Sequence, residues 1–284
     1  MALLSIQNLC KHYERFDLKD VSFSVSPGKI VGFIGRNGAG KTTTLKCIYN
    51  LVKPTSGQIL YDGKPTVADE PHFKSEVGLL FGEVNFYPSK TVKALTSVTK
   101  MFYPLWDENL YQGYLREFGI DETKQIKALS TGMRVKYGLA VALSHGAKIL
   151  ILDEPTSGLD PVSRDELLDT FLNLVGDGQH SILFSTHVIS DLEKCADEIV
   201  YIQNGAILAN EDVTSFEAGY LHYSGPSEAF ASRHGDFIYE WDRLGKFEGV
   251  AKKNNAPLID FEGVECRKAS MEEIMVALER GQRE

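Results

Sequence analysis

Residues 35–42, Gly-Arg-Asn-Gly-Ala-Gly-Lys-Thr, are the part of this sequence best suited to chemistry. Their spacing matches G-x-x-x-x-G-K-[ST], a loop whose backbone N–H groups surround nucleotide phosphates. Glycines let the backbone approach the phosphates, and the N-terminus of a following helix favours anionic oxygens. In this interpretation Lys41 reaches the β- and γ-phosphates, and the Thr42 hydroxyl binds Mg²⁺. The candidate phosphate-binding residues are Gly35, Arg36, Asn37, Gly38, Ala39, Gly40, Lys41, Thr42 and Thr43.

The flanking segments favour this interpretation over a glycine-rich turn without function. Residues 29–34 form a short apolar run after Pro27-Gly28, which predicts a buried strand. Residues 43–52 carry apolar side chains at helical spacing, which predicts a helix. Strand, loop and helix in this order are the context that a phosphate-binding loop requires.

Two acids, Asp153 and Glu154, follow the apolar run at residues 149–152. Ligands of open α/β sheets lie at the carboxyl ends of strands, so both acids are expected near the nucleotide. Adjacent residues of an extended chain face opposite ways and therefore take different roles. We expect Asp153 to hold Mg²⁺ and Glu154 to orient or deprotonate the attacking water. A pair of solvated acids is the alternative, and the upstream phosphate loop argues against it.

Further motifs resemble those of the ATP-binding-cassette (ABC) ATPases. Residues 129–133, Leu-Ser-Thr-Gly-Met, resemble the family's LSGGQ signature. Residues 153–160 match its extended Walker B motif and D-loop, and residues 185–187 match its switch-histidine segment. Tyr13 lies where the family stacks an aromatic ring on adenine. The motifs follow the family's order and cover residues 1 to about 210.

The resemblance implies two protomers that close head to tail around two ATP molecules with Mg²⁺. The phosphate loop of one protomer then faces Ser130, Thr131 and Gly132 of the other, with Ser130 as the N-cap of the following helix. Asp160 of the D-loop joins the ATP site. His187 is expected to contact the γ-phosphate, although a core histidine after a strand is the alternative. The implied catalytic residues are Glu154, His187 and Lys41.

Two motifs, the Q-loop and the signature, depart from the family pattern. The Q-loop glutamine is replaced by Gly82, and the next residue, Glu83, is the substitute candidate. The candidate Mg²⁺ ligands are thus Thr42, Asp153 and Glu83. The signature has Thr131 where glycine is usual and ends in Met133, changes that leave the helix N-terminus available for a phosphate.

The resemblance predicts an α/β P-loop NTPase (RecA-like) core with an antiparallel β subdomain, an inserted α-helical subdomain and a small C-terminal extension. Residues 1–210 would form the ATPase domain, with the helical subdomain at about 84–146, and residues 211–284 the extension of unknown role. In the extension the pattern is irregular, with strands expected at residues 220–223 and 237–241 and a capping box at Ser270 and Glu273. The aromatic run at residues 102–106 is expected in the core of the helical subdomain, rather than in a docking groove.

Composition narrows the class of partner. The chain has 284 residues, a net charge of −9 and a pI near 5.4, which argues against binding nucleic acid. It has neither a long apolar run nor a secretory signal, and its four cysteines lack metal-ligand spacing. We therefore expect a cytoplasmic protein, and the resemblance to ABC ATPases implies that it is peripheral on the inner face of the cell membrane.

Residues 102–107 and 129–165 look most like those of ATPases of ABC-2-type peptide and antibiotic-resistance exporters, and they resemble phenol-soluble-modulin and bacitracin systems in particular. This resemblance implies a homodimer or heterodimer that acts on a separate membrane permease, whose coupling helix would dock near residues 82–87. One alternative is a soluble ABC ATPase that acts on nucleic acid or ribosomes. Another is a nucleotide sensor without turnover, which the set Lys41, Asp153, Glu154 and His187 argues against.

Overall fold

The computed structural model describes residues 2–81, 87–176, 178–233, 235–259 and 261–281. The chain divides into two compact units, an N-terminal unit of residues 1–210 and a C-terminal unit of residues 211–284. The strands are β1 (Leu4–Tyr13), β2 (Phe16–Val25), β3 (Ile30–Ile34), β4 (Ser56–Tyr61), β5 (Lys64–Pro65), β6 (Val77–Phe81), β7 (Ile149–Asp153), β8 (Ser181–Thr186), β9 (Glu198–Gln203), β10 (Ala206–Asp212), β11 (Tyr220–Pro226), β12 (Tyr239–Arg243), β13 (Lys246–Lys252) and β14 (Glu265–Lys268). The helices are α1 (Lys41–Ile48), α2 (Glu70–Ser75), α3 (Val92–Thr99), α4 (Glu108–Glu117), α5 (Thr131–Ser144), α6 (Pro161–Val175), α7 (Ile189–Cys195), α8 (Val213–Ala218) and α9 (Met271–Arg280).

A six-stranded sheet in the order β10-β9-β3-β8-β7-β6 is the centre of the N-terminal unit. The pairs from β9 to β6 are parallel, and every residue of β3 and β7 is buried. Strands of this kind are apolar on both faces because other elements cover the two faces of a parallel sheet. The carboxyl ends of β3, β7 and β8 consequently meet at one edge, which brings together the loops that follow them.

An antiparallel sheet, β2-β1-β4-β5, packs against this centre in one shared apolar core. Phe23 of β2 and Phe33 of β3, for example, have ring centroids 5.4 Å apart. The predicted α/β core with an antiparallel β subdomain is confirmed. The helix after the glycine loop is shorter than predicted. It ends at Ile48, because Asn50 adopts a left-handed φ of 59° that is incompatible with a continuing helix.

Helices α3, α4 and α5 form a helical region between β6 and β7, with a core of its own. Thr96 hydrogen-bonds the hydroxyl groups of Tyr111 and Tyr137, which pins α3 to α4 and α5. The expectation that the aromatic run packs in this core is wrong for Phe102 and Leu105, which are 76% and 78% exposed. Tyr111 and Tyr137 already fill that core, so the connection from α3 to α4 runs over the surface.

The C-terminal unit contains a second antiparallel sheet in the order β12-β13-β11-β14. Phe230 and Phe247 stack at 3.9 Å in its core. Strands β11 and β12 confirm the two predicted strands, whereas β13 and β14 were not predicted. Ser270 and Glu273 form the predicted capping box at the start of α9.

Along the described parts of the chain, no helix combines the length and the apolar character that a membrane crossing requires.

Candidate active site

The glycine loop joins β3 to α1, and its geometry depends on Gly40. Gly40 is the N-cap of α1 with a φ of 118°, a conformation that side chains disfavour. A Cβ atom there would lie 2.6 Å from Leu18 and 2.9 Å from Phe16. Only glycine fits this position, which leaves the first N–H groups of α1 directed into the loop.

Lys41 lies inside this loop and is only 5% exposed. Its Nζ donates a hydrogen bond to the carbonyl oxygen of Gly35 at 2.6 Å. The same Nζ lies 3.1 Å from Oε1 of Glu154. A buried ammonium group needs such partners, because burying an unpaired charge is costly. The contact joins the phosphate loop to the end of β7.

Asp153 links three elements through its two carboxylate oxygens. Thr42 Oγ1 donates to Asp153 Oδ2 at 2.8 Å, and Ser185 Oγ donates to Asp153 Oδ1 at 2.6 Å. Carboxylate and hydroxyl oxygens are the hard donors that Mg²⁺ prefers, together with phosphate oxygens and water. The pair Thr42 and Asp153 therefore fits a magnesium site. The third candidate ligand, Glu83, lies outside the described residues, as does Gly82.

Glu154 is not in extended conformation, contrary to the sequence-based reasoning. Strand β7 ends at Asp153, and Glu154 has a left-handed φ of 51°. Its N–H donates to Ser185 Oγ at 3.0 Å, which holds the turn. The two acids do face different partners, as expected, but the sharp turn rather than strand alternation separates them. Sequence analysis gave Ser185 no role beyond its motif.

His187 follows β8 and lies beside Glu154. Its Nδ1 is 2.7 Å from Oε2 of Glu154, and its side chain is 46% exposed. This exposure excludes the alternative of a core histidine. Lys41, Glu154 and His187 thus form a continuous chain of contacts across the ends of β3, β7 and β8.

A cleft of about 530 Å³ opens over this chain of contacts. We call it the nucleotide cleft; its lining consists of Arg15, Phe16, Arg36, Asn37, Gly38, Gly40, Lys41, Thr42, Thr43 and Glu154. Arg15 and Phe16 were not among the predicted site residues, although they follow Tyr13 by only two and three positions. Tyr13 itself is 42% exposed and absent from this lining. Its role in stacking on adenine stays a prediction.

The signature and the D-loop each contain the N-cap residue of a helix. Ser130 accepts a hydrogen bond from the N–H of Met133 at 3.1 Å, so it caps α5, which begins at Thr131 and Gly132. Asp160 accepts from the N–H groups of Val162 and Ser163 and caps α6. Hydrogen bonds from Ser163 hold the pKa of Asp160 below its usual value.

None of the signature residues, nor Asp160, lines the nucleotide cleft of its own chain. This separation is what a site completed by a second protomer requires.

Comparisons with known proteins identify the family of this chain. The family described as ABC transporter matches residues 18–157. The ABC transporter ATP-binding protein YtrB of Bacillus subtilis is 32% identical over 206 residues, which cover 72% of this chain and 70% of YtrB. The bacitracin transport ATP-binding protein BcrA of Bacillus licheniformis is 32% identical, covering 72% and 68%. The lantibiotic transport ATP-binding protein SrtF of Streptococcus pyogenes is 32% identical, covering 76% and 93%.

A solved structure leads to the same family. It is described as an ATP-binding subunit of an ABC transporter, has a TM-score of 0.68 and is 29% identical. The match covers 76% of this chain and 92% of that one. Such proteins bind ATP, dimerise and work with membrane permease subunits. The chain therefore belongs to the ATP-binding proteins of ABC transporters, ATPases whose hydrolysis of ATP is coupled to transport.

Proposed function

We propose that this chain powers a bacterial exporter of peptides or toxic amphipathic compounds, such as phenol-soluble modulins. Two copies, or one copy and a related ATPase, close head to tail around two ATP molecules and act on a separate membrane subunit. The names of BcrA and SrtF, a bacitracin and a lantibiotic transport protein, support the class of cargo. The chain of contacts from Lys41 through Glu154 to His187 is the observation that carries the proposal.

This chain of contacts supports separate roles for Lys41, Glu154 and His187 at the γ-phosphate. The phosphate competes with Glu154 for Lys41, because both are anions within reach of one ammonium group. Glu154, once released, can accept the proton of the attacking water, while His187 donates to the γ-phosphate oxygens as charge develops. Thr42 and Asp153 would hold Mg²⁺, which when bound neutralises charge on the phosphate oxygens.

The capped start of α5 supports the head-to-tail arrangement. Helix α5 has 14 residues, and its first N–H groups carry the positive end of the helix dipole. Ser130, Thr131 and Gly132 can therefore bind the γ-phosphate held by the other protomer, with Asp160 nearby in the D-loop. Loss of the γ-phosphate on hydrolysis removes this contact and lets the dimer open.

Glu154→Gln tests both parts of this proposal. With ATP and Mg²⁺, we expect the variant to form a stable dimer in light scattering and to lose hydrolysis by a factor of about 10² to 10⁴. Glu166→Gln, at an exposed acid of α6 that pairs with Lys136, is the matched control. Hydrolysis at the wild-type rate in Glu154→Gln would contradict the proposal. A strictly monomeric variant would rule out the pair of identical copies and leave only the pairing with a related ATPase.

A second cavity in the N-terminal unit suits the permease. This apolar groove, about 330 Å³, is lined by Tyr49, Leu79, Leu80, Phe81, Tyr87, Leu95, Thr99, Tyr103, Tyr137, Gly138, Val141, Ala142 and His145. Met101, Phe102 and Leu105 are highly exposed on the segment that contributes Tyr103. Exposed apolar side chains of this kind mark interaction sites, so we propose the groove as the dock for a permease coupling helix.

Fractionation of cells distinguishes this proposal from a soluble role on nucleic acid or ribosomes. We expect the chain to sediment with membranes on the cytoplasmic side when its permease is present. Tyr87→Asp should reduce this recruitment, because Tyr87 lines the groove and is 67% exposed. Sedimentation with ribosomes, unaffected by Tyr87→Asp, would support the soluble role instead.

A further inference from the structure

Asp191 is a fully buried carboxylate that the proposed mechanism does not use. It lies in the first turn of α7 and has no exposed surface. Its Oδ2 accepts hydrogen bonds from Thr156 Oγ1 at 2.6 Å and from Thr186 Oγ1 at 3.3 Å. Burying a carboxylate is costly unless hydrogen bonds satisfy its oxygens, and the two threonine hydroxyls satisfy Oδ2 of Asp191.

The two threonines belong to the segments that carry Glu154 and His187. Thr156 comes two residues after Glu154. Thr186 ends β8 directly before His187, and its hydroxyl also accepts a hydrogen bond from the N–H of Val188 at 3.0 Å. A single carboxylate oxygen therefore joins both segments, and Asp191 does not line the nucleotide cleft.

Glu154 needs support on both sides because its backbone is strained. A left-handed φ in a residue other than glycine is unfavourable and persists only where the surroundings enforce it. Ser185 holds the residue from its N-terminal side through the N–H of Glu154. On the C-terminal side, Thr156 is held by Asp191. Arg164 lies with its Nε 3.8 Å from Asp191 Oδ1 and offsets part of the buried charge.

We infer that Asp191 is a positioning residue for ATP hydrolysis. Through Thr156 and Thr186 it holds the carboxylate of Glu154 and the ring of His187 in contact over the γ-phosphate site. The inference rests on the proposed roles of Glu154 and His187. A displacement of about 1 Å in such a group can lower a rate by about 10²-fold, so loss of this link should reduce kcat with little effect on ATP binding.

The test uses hydroxyl-selective variants of the full-length chain. Thr156→Val removes the donor at nearly constant volume, whereas Thr156→Ser keeps it. We expect phosphate release with ATP and Mg²⁺ to show kcat at least about tenfold lower in Thr156→Val and in Asp191→Asn, with KM changed less than about threefold. Thr156→Ser should retain kcat within about threefold of wild type. Thr170→Val removes an exposed hydroxyl bonded to its own helix and is the matched control.

The double variant Thr156→Val/Asp191→Asn should be no slower than Asp191→Asn alone, because the change at Asp191 already affects the hydrogen bond that Thr156→Val removes. Equal loss in Thr156→Ser and Thr156→Val, a proportional rise of KM, or additive losses would overturn the inference. Thermal unfolding measurements identify any variant that does not fold. If Asp191→Asn does not fold, the comparison of Thr156→Val with Thr156→Ser tests the inference. If Glu154→Gln still hydrolyses ATP, the proposed function fails; if Glu154→Gln is inactive while Thr156→Val is active, only the positioning role fails.

Discussion

The nucleotide cleft and the apolar groove are two cavities of one unit built on opposite principles. In the cleft, charged groups such as Lys41 and Glu154 hold each other by short contacts at the ends of buried strands. In the groove, apolar side chains line the cavity, and neighbours such as Phe102 lie in solvent. A substitution in the cleft leaves a buried charge without its partner, whereas a substitution in the groove removes apolar area in proportion to the size of the side chain. A single substitution should therefore have a large effect on ATP binding in the cleft and a smaller, size-dependent effect on docking in the groove.

The largest effect on binding should come from Lys41→Ala. The ammonium group is buried and aimed at the phosphate site, and hydrogen bonds to charged groups are worth about 1.5–3 kcal/mol each. We expect the Kd for ATP to rise about 10–100-fold, measured by calorimetry, while recruitment to membranes is unchanged. Lys46→Ala, at an exposed lysine of the same helix, is the control. An unchanged Kd for ATP would show that the phosphates bind elsewhere.

An intermediate effect is expected from Phe102→Asp combined with Leu105→Asp. These side chains are exposed, so the free energy of unfolding should change little, but a charged pair should weaken docking of an apolar coupling helix. We expect affinity for permease-containing vesicles to fall at least about tenfold, with the Kd for ATP unchanged.

Val67→Asp provides the comparison for that double variant, because Val67 is 74% exposed and lies outside the groove. Equal loss of vesicle binding in both proteins would contradict the proposed dock, as would full binding by the double variant.

The smallest effect is a dependence on pH that originates in the groove. His145 is buried against Tyr103, with ring centroids 4.0 Å apart, and its Nδ1–H donates to the carbonyl oxygen of Ser75. Burial lowers the pKa of His145 below its usual value. The unfolded chain therefore binds a proton more readily, so the stabilisation is complete above about pH 6.5 and is lost as the pH falls through the lowered pKa.

His145→Asn keeps a donor for Ser75 but has no titrating group at this position. Between about pH 7.5 and about pH 5.5, we expect the Tm of wild type to fall by about 2 °C more than the Tm of His145→Asn. His72→Asn, at a half-exposed histidine of α2, is the control. A wild-type Tm that falls no more steeply than that of His145→Asn would show that His145 does not titrate in this range.

Contiguous motifs made most of the fold and of the phosphate site predictable. The glycine loop, Asp160 before Pro161 and the capping box at Ser270 are local patterns, since each residue acts on neighbours a few positions away. The solvent exposure of apolar side chains could not be predicted from such local patterns. Phe102 and Leu105 look like core residues, and only the filling of the helical core by Tyr111 and Tyr137 leaves them outside.

The sequence by itself determined the identity of the chemical groups: a lysine in a glycine loop, two acids after a strand and a histidine after another. The tertiary structure alone decided how they meet, because Thr42 and Asp153 are 111 positions apart, and Glu154 and His187 are 33 apart. It also brought Asp191 into contact with Thr156 and Thr186, and placed Phe16 beside the phosphate loop. The physical reason is that parallel strands align their carboxyl ends, so a contact at that edge depends on strand order and burial rather than on neighbours in sequence.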